Sequence, residues 1–437
     1  MNKTINGFSK LTKQQKIDWL AQNFLQDTEG EHLENLKAFQ LQNLDFQRIF
    51  DGFSENTIAN FPIPYGIAPN FLINNKIYAV PMVIEESSVV AAAASGAKYW
   101  SERGGFHAEV LGMVKVGQVH FTWSGDGDIL RGCFDAIKKT LIAESEHITV
   151  NMVQRGGGIL NIELVDFTAE EADYYQLRCT FETCDSMGAN FINSVLEQFG
   201  QTLEWVLMEK TGVEPVVVMC ILSNYTPNCL VRVWVECDIA DFHGEDAAFY
   251  AEKFRRAVRI ARIDPYRAVT HNKGIMNGID SVVLATANDF RAIEACAHAF
   301  AARDGQYRSL SDCSIENGRF RFWMDMPLAL GTVGGLTSLH PLARLSLDIL
   351  GKPTAAELMQ VIAVVGLAQN FAAVRSLVTT GIQRGHMKMH LTNILNHLAA
   401  TEGEMLAAQQ YFQITTVSFT AVRAFLESIR SSSMRNY

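Results

Sequence analysis

The sequence predicts an α+β fold: a large mixed α/β domain with a buried central helix, a smaller inserted domain, and a C-terminal group of three helices. Between about residues 108 and 222, strand and helix patterns follow in the order of a split βαβ unit. The most apolar long segment, Leu358 to Val374, contains Gln369 and Asn370 and is shorter than the roughly 20 residues that cross a bilayer, which indicates a core helix. Amphipathic helix patterns return after Gly381.

The chain has 437 residues, more than one hydrophobic core usually serves, so we expect several domains. We divide it into the first part of the large domain (1–110), an inserted small domain (111–222), the second part of the large domain (223–378) and a C-terminal helical region (379–437). The two parts of the large domain are expected to fold together around the insert.

The periodicity of apolar residues predicts the elements in order. Amphipathic helices occupy residues 1 to 60, and a strand from Ile77 to Ile84 leads into Glu85 and Glu86 before an alanine-rich helix. The insert is predicted to contain the strands Val110–Trp123, His147–Val153, Asn161–Phe167, Tyr175–Thr183 and Val216–Leu222 and the helices Ile129–Glu144 and Met187–Lys210. The last helices are predicted at His386–Ala399, Glu402–Phe412 and Thr416–Arg430.

Composition narrows the class of function. The formal net charge is -10 and no run of Lys or Arg occurs, which argues against a nucleic-acid surface. Eight cysteines are scattered without a CxxC pair, as is typical of reduced thiols in the cytoplasm. The polar N-terminus lacks the apolar core of a secretory signal. We therefore expect a cytoplasmic enzyme without a membrane segment.

The stretch from Asp264 to Asp289 concentrates polar, charged and glycine residues in an otherwise apolar protein. Within it, Arg267 and Lys273 alternate with glycines, which allow close approach of a ligand. The apolar run 281–286 has the pattern of a buried strand that ends at Asp289. A lysine held by this carboxylate would stabilise the negative charge that develops on a carbonyl oxygen during reduction, although most such pairs are structural ion pairs.

Three other motifs have both a structural and a functional interpretation. Glu86 precedes a helix, where an acidic residue also simply complements the helix dipole. Asp185 and Gly188 lie where a strand meets a long helix, an arrangement that binds phosphates but also occurs in ordinary capped helices. His386 could protonate a leaving group near neutral pH. With His390 it has the spacing of a metal site, but no third ligand is evident, and we expect no metal.

Four blocks of sequence resemble 3-hydroxy-3-methylglutaryl-CoA (HMG-CoA) reductase of the soluble class II type. They are I-E-E-S-S-V-V-A-A at 84–92, D-S-M-G-A-N at 185–190, D-P-Y-R-A-V-T-H-N-K-G-I-M-N-G-I-D at 264–280 and G-I-Q-R-G-H-M at 381–387. The similarity extends from Tyr65 through the last helices. It implies the four-electron reduction of HMG-CoA to mevalonate and CoA in the mevalonate pathway.

The resemblance also implies a role for each matched residue. Glu86 falls on the catalytic glutamate, Lys273 on the lysine that stabilises the carbonyl oxygen, Asp289 on the aspartate that tunes both, and His386 on the proton donor to the CoA thiolate. The residues implied to contact substrate are Ser88, Arg267, Thr270, Asn277, Gln369 and Asn370. The residues implied to bind the nicotinamide cofactor are Asp185, Ser186, Met187, Gly188, Ala189 and Asn190.

Architecture and assembly follow from the same resemblance. The inserted domain would be a ferredoxin-like unit that binds the cofactor, which explains the absence of a GxGxxG motif. The C-terminal three-helix region would be a mobile flap that carries His386 over the site. The chain would form a homodimer, or a larger assembly of dimers, with its active sites between subunits.

Two departures from the family pattern are small: Ser87 replaces a proline and Ser186 an alanine. A third bears on the cofactor. Relatives that prefer NAD carry an acidic residue shortly before the triple glycine, whereas 147–155 contains no carboxylate and includes His147 and Arg155. We therefore expect NADPH to be favoured and NADH to remain possible. The alternatives are the reverse, NAD-dependent oxidation of mevalonate, and, more remotely, a non-catalytic oligomeric scaffold.

Overall fold

A computed structural model describes residues 4–25, 30–242, 246–379, 391–392, 394–412, 415 and 417–433. Strands and helices are interspersed along the chain, so the mixed α/β class predicted from sequence is confirmed. Buried side chains form three hydrophobic clusters in the described residues. The largest joins residues from 68 to 110 with residues from 229 to 378, the second contains only residues from 119 to 222, and the third contains only residues from 391 to 426.

The described helices are α1 (Lys13–Phe24), α2 (Glu31–Ala38), α3 (Leu44–Asp51), α4 (Val89–Ser101), α5 (Gly127–Glu144), α6 (Glu146–Gln154), α7 (Ala189–Thr211), α8 (Ala247–Ile263), α9 (Pro265–Ala285), α10 (Phe290–Ala301), α11 (Leu336–Leu339), α12 (Pro341–Ile349), α13 (Ala355–Val378), α14 (Glu402–Tyr411) and α15 (Phe419–Ser433). The strands are β1 (Tyr65–Ile73), β2 (Lys76–Val83), β3 (His107–Val110), β4 (Lys115–Thr122), β5 (Gly158–Asp166), β6 (Tyr174–Glu182), β7 (Val216–Ser223), β8 (Leu230–Asp238), β9 (Ser311–Glu316) and β10 (Arg319–Pro327). Residues 391–392 and 394–397 are also helical.

The strands form three antiparallel sheets in the described chain. β1 and β2 make a hairpin, and the order β3-β8-β10-β9 makes a four-stranded sheet. The third sheet has the order β5-β6-β4-β7, and the long helix α7 packs on it. Gly117 of β4 makes this approach possible, because a Cβ there would lie 2.6 Å from the Leu196 side chain of α7.

Helix α13 lies at the centre of the largest cluster. It begins with a capping box in which Thr354 and Glu357 each accept from the other's backbone N–H. The helix is long and apolar enough to cross a membrane by composition, but 72% of its most apolar window is buried inside the protein. It therefore serves as the core helix expected over Leu358–Val374.

Two strand predictions are wrong. Residues 147–153 belong to helix α6, in which Thr149 and Met152 are buried at helical spacing while Val150 and Val153 are exposed. Residues 281–285 are the last turns of helix α9. They look like a buried strand because α9 packs against α13 and buries most of its circumference at this end, and a short apolar run does not by its periodicity distinguish the two structures.

Candidate active site

Helix α9 organises the site. Its start is specified by Asp264, whose side chain accepts a hydrogen bond from the Tyr266 backbone N–H at 3.1 Å, and by Pro265 in the first turn. Close packing then fixes its position against α13. A Cβ on Gly278 would lie 2.8 Å from the Val365 carbonyl oxygen, so only glycine fits at this contact. The glycines of the stretch 264–289 thus include one that sets the distance between two helices.

The central contact of the site joins Lys273 of α9 to Glu86. Strand β2 ends at Val83, and Glu86 lies in the connection to α4. The Lys273 ammonium donates to Glu86 Oε2, and Asn277 Nδ2, one turn further along α9, lies 3.4 Å from the same oxygen. The Lys273 side chain is 59% exposed and that of Glu86 38% exposed. The Lys273–Glu86 pair therefore forms without a ligand, and both side chains remain accessible to a ligand.

The backbone next to Glu86 has an uncommon conformation at Ser88. Ser88, at the N-cap of α4, has φ of 76°, a left-handed conformation that is uncommon for residues other than glycine. Its side chain makes no capping hydrogen bond to the helix. The Ser88 hydroxyl thus remains available to a ligand, as the substrate contact implied for it requires.

Asp289 does not pair with Lys273 in the described chain, contrary to the prediction. Its carboxylate caps α10 by accepting from the Arg291 and Ala292 backbone N–H groups at 3.0 and 3.2 Å, and it forms an ion pair with the Arg291 guanidinium at 3.2 Å. It does not end a strand either, because α9 precedes it. Asp289 instead borders a cavity of about 800 Å³ that it shares with Phe61, Tyr65 and other largely apolar residues.

Arg267 is a cation without a partner among the described residues. It lies two turns before Lys273 on α9, and its partial burial lowers the pKa of its guanidinium. An arginine in this state suits a carboxylate ligand, which would replace the lost hydration with two hydrogen bonds. Thr270, one turn before Lys273, is exposed, and its hydroxyl donates to the Tyr266 carbonyl oxygen at 3.4 Å.

A buried polar chain lies beneath the site. Ser311 Oγ donates to Asn370 Oδ1 at 2.8 Å, so it must accept from His271 Nε2, which lies at 2.6 Å. This direction assigns the Nε2–H tautomer to His271 and leaves Nδ1 as a buried acceptor without a partner in the described residues. Burial, with the nearby Arg267 charge, lowers the pKa of His271 to about 3. The ring therefore stays neutral at physiological pH.

Gln369 and Asn370 are both buried in α13, beside α9. Asn370 is held by Ser311, as described above, and its Nδ2 lies 3.5 Å from the His271 carbonyl oxygen. Gln369 Oε1 is buried and lacks a hydrogen-bond partner in the described chain. An unpaired buried amide is costly, so Gln369 is a candidate for a contact made only when a ligand is bound.

The loop 185–190 joins β6 to α7. Gly188, with φ of 88°, occupies the N-cap of α7, and Ala189 and Asn190 begin the helix. Asp185 does not cap α7, as one interpretation had it, because its Oδ1 accepts from the Ala355 backbone N–H at the start of α13, at 2.7 Å. On the other side, a Cβ on Gly331 would lie 2.6 Å from the Met187 nitrogen. The first turn of α7 thus keeps its own N–H groups free of a side-chain cap.

The triple glycine lies beside this loop. Gly156 and Gly158 have φ of 93° and 125°, conformations that favour glycine. Cys184 Sγ donates to the Arg155 carbonyl oxygen at 3.3 Å, which brings the end of α6 next to the loop. Arg155, at the end of α6, and His147, at its start, are both exposed. The prediction that a basic residue lies near the cofactor loop is compatible with this geometry.

His386 and His390 lie outside the described residues. Within the residues that the structure describes, no group of three His, Cys, Asp or Glu side chains is placed to hold a metal ion. The cysteines, all free thiols, are likewise dispersed.

Sequence reasoning missed three buried polar residues close to the site: Lys115, His271 as part of a hydrogen-bonded chain, and Asp280. For Lys115, the available signal was a single charge inside the apolar run G-M-V-K-V-G. For Asp280, burial and the adjacent Glu294 carboxyl raise the pKa to about 8. No pattern in the sequence indicates that contact, because it depends on how α9 packs on α10.

Comparison with known proteins identifies the family. The family model described as hydroxymethylglutaryl-coenzyme A reductase matches residues 14–391. The 3-hydroxy-3-methylglutaryl-coenzyme A reductase of Archaeoglobus fulgidus is 37% identical over 93% of this chain and 89% of the relative. The probable enzyme of the same name from Borreliella burgdorferi is 35% identical over 88% of each chain.

Solved structures agree as well. A class II 3-hydroxy-3-methylglutaryl-CoA reductase from Streptococcus pneumoniae, bound to NADPH in open conformations, superposes with a TM-score of 0.71 at 36% identity, covering 92% of this chain and all of that one. A second structure of the enzyme from the same organism gives the same TM-score over 98% of this chain. The chain therefore belongs to the hydroxymethylglutaryl-coenzyme A reductase family, and within it to class II.

Proposed function

We propose that this protein reduces HMG-CoA to mevalonate and CoA with NADPH. The observation that carries the proposal is the Lys273–Glu86 contact, completed by Asn277 and placed two turns from the unpaired Arg267. Reduction of an acidic acyl thioester needs a cation for the developing oxyanion, a proton donor and an anchor for the substrate carboxylate. Lys273, Glu86 and Arg267 are suited to these three roles. Family membership supplies the substrate that fits them.

The chain's own residues divide the work. Lys273 stabilises the oxygen that gains negative charge in each of the two reductions, and Glu86, hydrogen-bonded to it, exchanges the proton that this oxygen takes up. Arg267 binds the substrate carboxylate, with Ser88, Thr270 and Asn277 on the remaining oxygens. Gln369 and Asn370 face the thioester end. His386, outside the described residues, gives a proton to the departing thiolate; that role rests on the family motif alone.

The reaction balances with two hydrides. The first converts the thioester to a mevaldyl-CoA hemithioacetal, which releases CoA as a thiol and leaves mevaldehyde. The second converts mevaldehyde to mevalonate. The nicotinamide cofactor supplies these hydrides when it is bound.

Residues 185–190 fit such a cofactor. Helix α7 begins with an uncapped first turn and a glycine in the left-handed conformation, the combination that lets phosphate oxygens approach backbone N–H groups. The S. pneumoniae enzyme of the same class has been solved with NADPH. The absence of a carboxylate in 147–155, with Arg155 beside the loop, favours NADPH over NADH.

Assembly and location belong to the same proposal. We place the cofactor site in an inserted ferredoxin-like domain (111–222), with residues 379–437 as a closing flap. Because Asp289 lies apart from the Lys273 of its own chain, we propose a homodimer, alone or in a larger assembly, in which Asp289 of one subunit completes the site of the other. The free thiols suit the cytoplasm.

A direct assay of cofactor oxidation tests the proposal. The purified protein, incubated with HMG-CoA and either NADPH or NADH, should oxidise both cofactors, with the larger kcat/KM for NADPH. Turnover confined to mevalonate, CoA and NAD would favour the reverse direction. No thioester-dependent oxidation of either cofactor would overturn the proposal.

A further inference from the structure

Lys115 is a buried cation that nothing in the described chain neutralises. It is the first residue of β4, opposite Phe181 of β6, and only 3% of it is exposed. Its ammonium has no hydrogen-bond partner and no carboxylate oxygen within 4 Å among the described residues. A charge taken out of water without a partner is among the costliest features a fold can carry, so a compensating ligand should be sought.

The surroundings of Lys115 place it at the cofactor loop. It lines a small enclosed cavity with Met187 and Ile192, which flank the first turn of α7. Thr226, Cys296 and Ala329 close the other side. The cavity holds about 10 Å³, about the room one water molecule needs. A single water cannot neutralise an ammonium.

Two thiols lie within the electrostatic influence of Lys115. Burial raises the pKa of Cys184 and, to about 11, that of Cys229; the Glu182 carboxylate adds to the rise at both thiols, and the Lys115 ammonium opposes it. Cys184 directly precedes the loop 185–190, and Cys229 directly precedes β8. Both thiols are therefore protonated and neutral, and neither can serve as the counter-charge.

Two carboxylates near the loop keep their negative charge but form no ion pair with Lys115. Glu182 Oε1 accepts from the Cys184 backbone N–H at 2.8 Å, and Asp185 Oδ1 accepts from the Ala355 backbone N–H at 2.7 Å. The uncapped N-terminus of α7 adds further positive potential at the same place. The Lys115 ammonium and the N-terminus of α7 both attract negative charge, so a bound anion would be stabilised by both.

We propose that Lys115 is a cofactor-binding residue whose ammonium compensates the diphosphate of the nicotinamide dinucleotide at the first turn of α7. The assignment rests on the proposed function, in which residues 185–190 receive this cofactor. It distinguishes Lys115 from Arg155, which lies on the exposed side of the loop and is suited to the 2′-phosphate that only NADPH carries. The diphosphate occurs in both cofactors, so the two residues predict different patterns.

The experiment compares Lys115→Met, Lys115→Arg and Arg155→Gln by measuring the Kd of NADPH and NADH from cofactor fluorescence and the KM for HMG-CoA from turnover. Lys115→Met should weaken both cofactors by a similar factor, about tenfold to a hundredfold as for a lost charge-assisted contact, and leave the KM for HMG-CoA unchanged. Lys115→Arg should retain most of the affinity. Arg155→Gln should weaken NADPH alone.

Thermal unfolding supplies a second readout. Without cofactor, Lys115→Met should have a higher Tm than wild type, because it removes an unpaired buried charge, and saturating NADPH should raise its Tm less. Lys138→Met is the matched control: this lysine of the same domain already donates to Asn161 Oδ1 at 2.5 Å, and its loss should leave both cofactor affinities unchanged.

Unchanged Kd values in folded Lys115→Met, or a loss restricted to NADPH, would overturn the assignment. Should Lys115→Met fail to fold, Lys115→Gln provides the same comparison, and equal Kd values for Lys115→Gln and Lys115→Arg would be decisive against it. Turnover of HMG-CoA by the wild type, measured first, separates the proposed function from the role of Lys115. If the wild type turns over HMG-CoA while the Lys115 variants bind both cofactors normally, only the proposed role of Lys115 is wrong.

Discussion

At the scale of single residues, the site depends on which polar groups have partners. Lys273 and Glu86 hold each other, whereas Arg267, Lys115 and Gln369 have none in the described chain. A buried charged or amide group without a partner is costly, and completion by a ligand is one explanation for it. The chemistry of Lys273 could be predicted from sequence because it lies in a motif, but its partner could not, since Glu86 is distant in the chain and is brought near only by the packing of β2 and α4 against α9.

The buried His271 is expected to make the stability of the protein depend on pH. Its pKa is lowered to about 3 by burial and by Arg267, below the value of about 6.5 for an unfolded histidine. The unfolded chain therefore binds the additional proton between these values, and stability falls as the pH decreases from about 6.5 towards 3. His271→Gln should make the dependence of Tm on pH shallower in this window.

The matched control is His147→Gln, which removes an exposed imidazole from α6. Thermal unfolding of wild type and both variants from pH 4.5 to 8 gives the comparison. A His271→Gln curve parallel to that of wild type would show that His271 is not the buried neutral group described above.

At the scale of elements, the contact between α9 and α13 sets the position of the catalytic lysine. Glycines occur at two kinds of place along α9. Gly278 faces the Val365 carbonyl, while a Cβ on Gly274 would meet nothing within 4 Å. Both positions look alike in the sequence, where glycine density alone marked the stretch. The difference arises from packing between helices that are remote in the chain, so it could not be predicted.

This difference can be measured. Gly278→Ala should lower the stability by about 1–3 kcal/mol, since a backbone carbonyl cannot move aside as a side chain can, and it should lower kcat by shifting Lys273. Gly274→Ala, one turn earlier on the same helix, should raise the stability by about 0.5–1 kcal/mol. Equal effects of the two substitutions on Tm would contradict the close contact.

The contact between α9 and α10 is predicted to respond to pH in the opposite sense. Burial and the adjacent Glu294 carboxyl raise the pKa of Asp280 to about 8, so Asp280 is protonated at neutral pH. Because the folded-state pKa is raised, this stability is complete below about pH 4 and is lost as the pH rises through 8. Asp280→Asn, which stays neutral, should therefore exceed wild type in Tm at pH 8.5, and the gain should shrink towards pH 5.

Glu294→Gln should give a smaller gain of the same sign, because it removes the neighbouring carboxyl but leaves the burial that is the larger cause of the raised Asp280 pKa. A gain in Tm of Asp280→Asn that does not vary with pH would show that the pKa of Asp280 is not raised in the folded protein.

At the scale of the whole molecule, the mixed α/β class and the core helix followed from apolar periodicity and length. The strands predicted at 147–153 and 281–286 were wrong. In the first, exposed valines of α6 complete an alternating apolar pattern, and in the second, burial of the end of α9 produces an apolar run that resembles a strand. Asp289 is the residue whose position says most about assembly. It lies beside an open cavity of about 800 Å³ bordered by exposed apolar side chains such as Phe61, and the proposed dimer would cover this surface.

Subunit mixing tests that assembly. Lys273→Met and Asp289→Asn should each be inactive alone. When the two are co-expressed, activity should return to about a quarter of wild type, because half of the dimers are mixed and one of their two sites is intact. No recovery in mixed dimers would place Lys273 and Asp289 in the same subunit's site.

The most direct test of the central claim is the stoichiometry of the reaction, measured as NADPH oxidised and CoA thiol released in the same sample. Wild type should oxidise about two NADPH for each thiol, as two hydride transfers require. Lys273→Met should lower kcat by about 10²- to 10⁴-fold while still binding HMG-CoA. Thiol release without NADPH oxidation, or wild-type turnover by Lys273→Met, would contradict the reductase site built on Glu86 and Lys273.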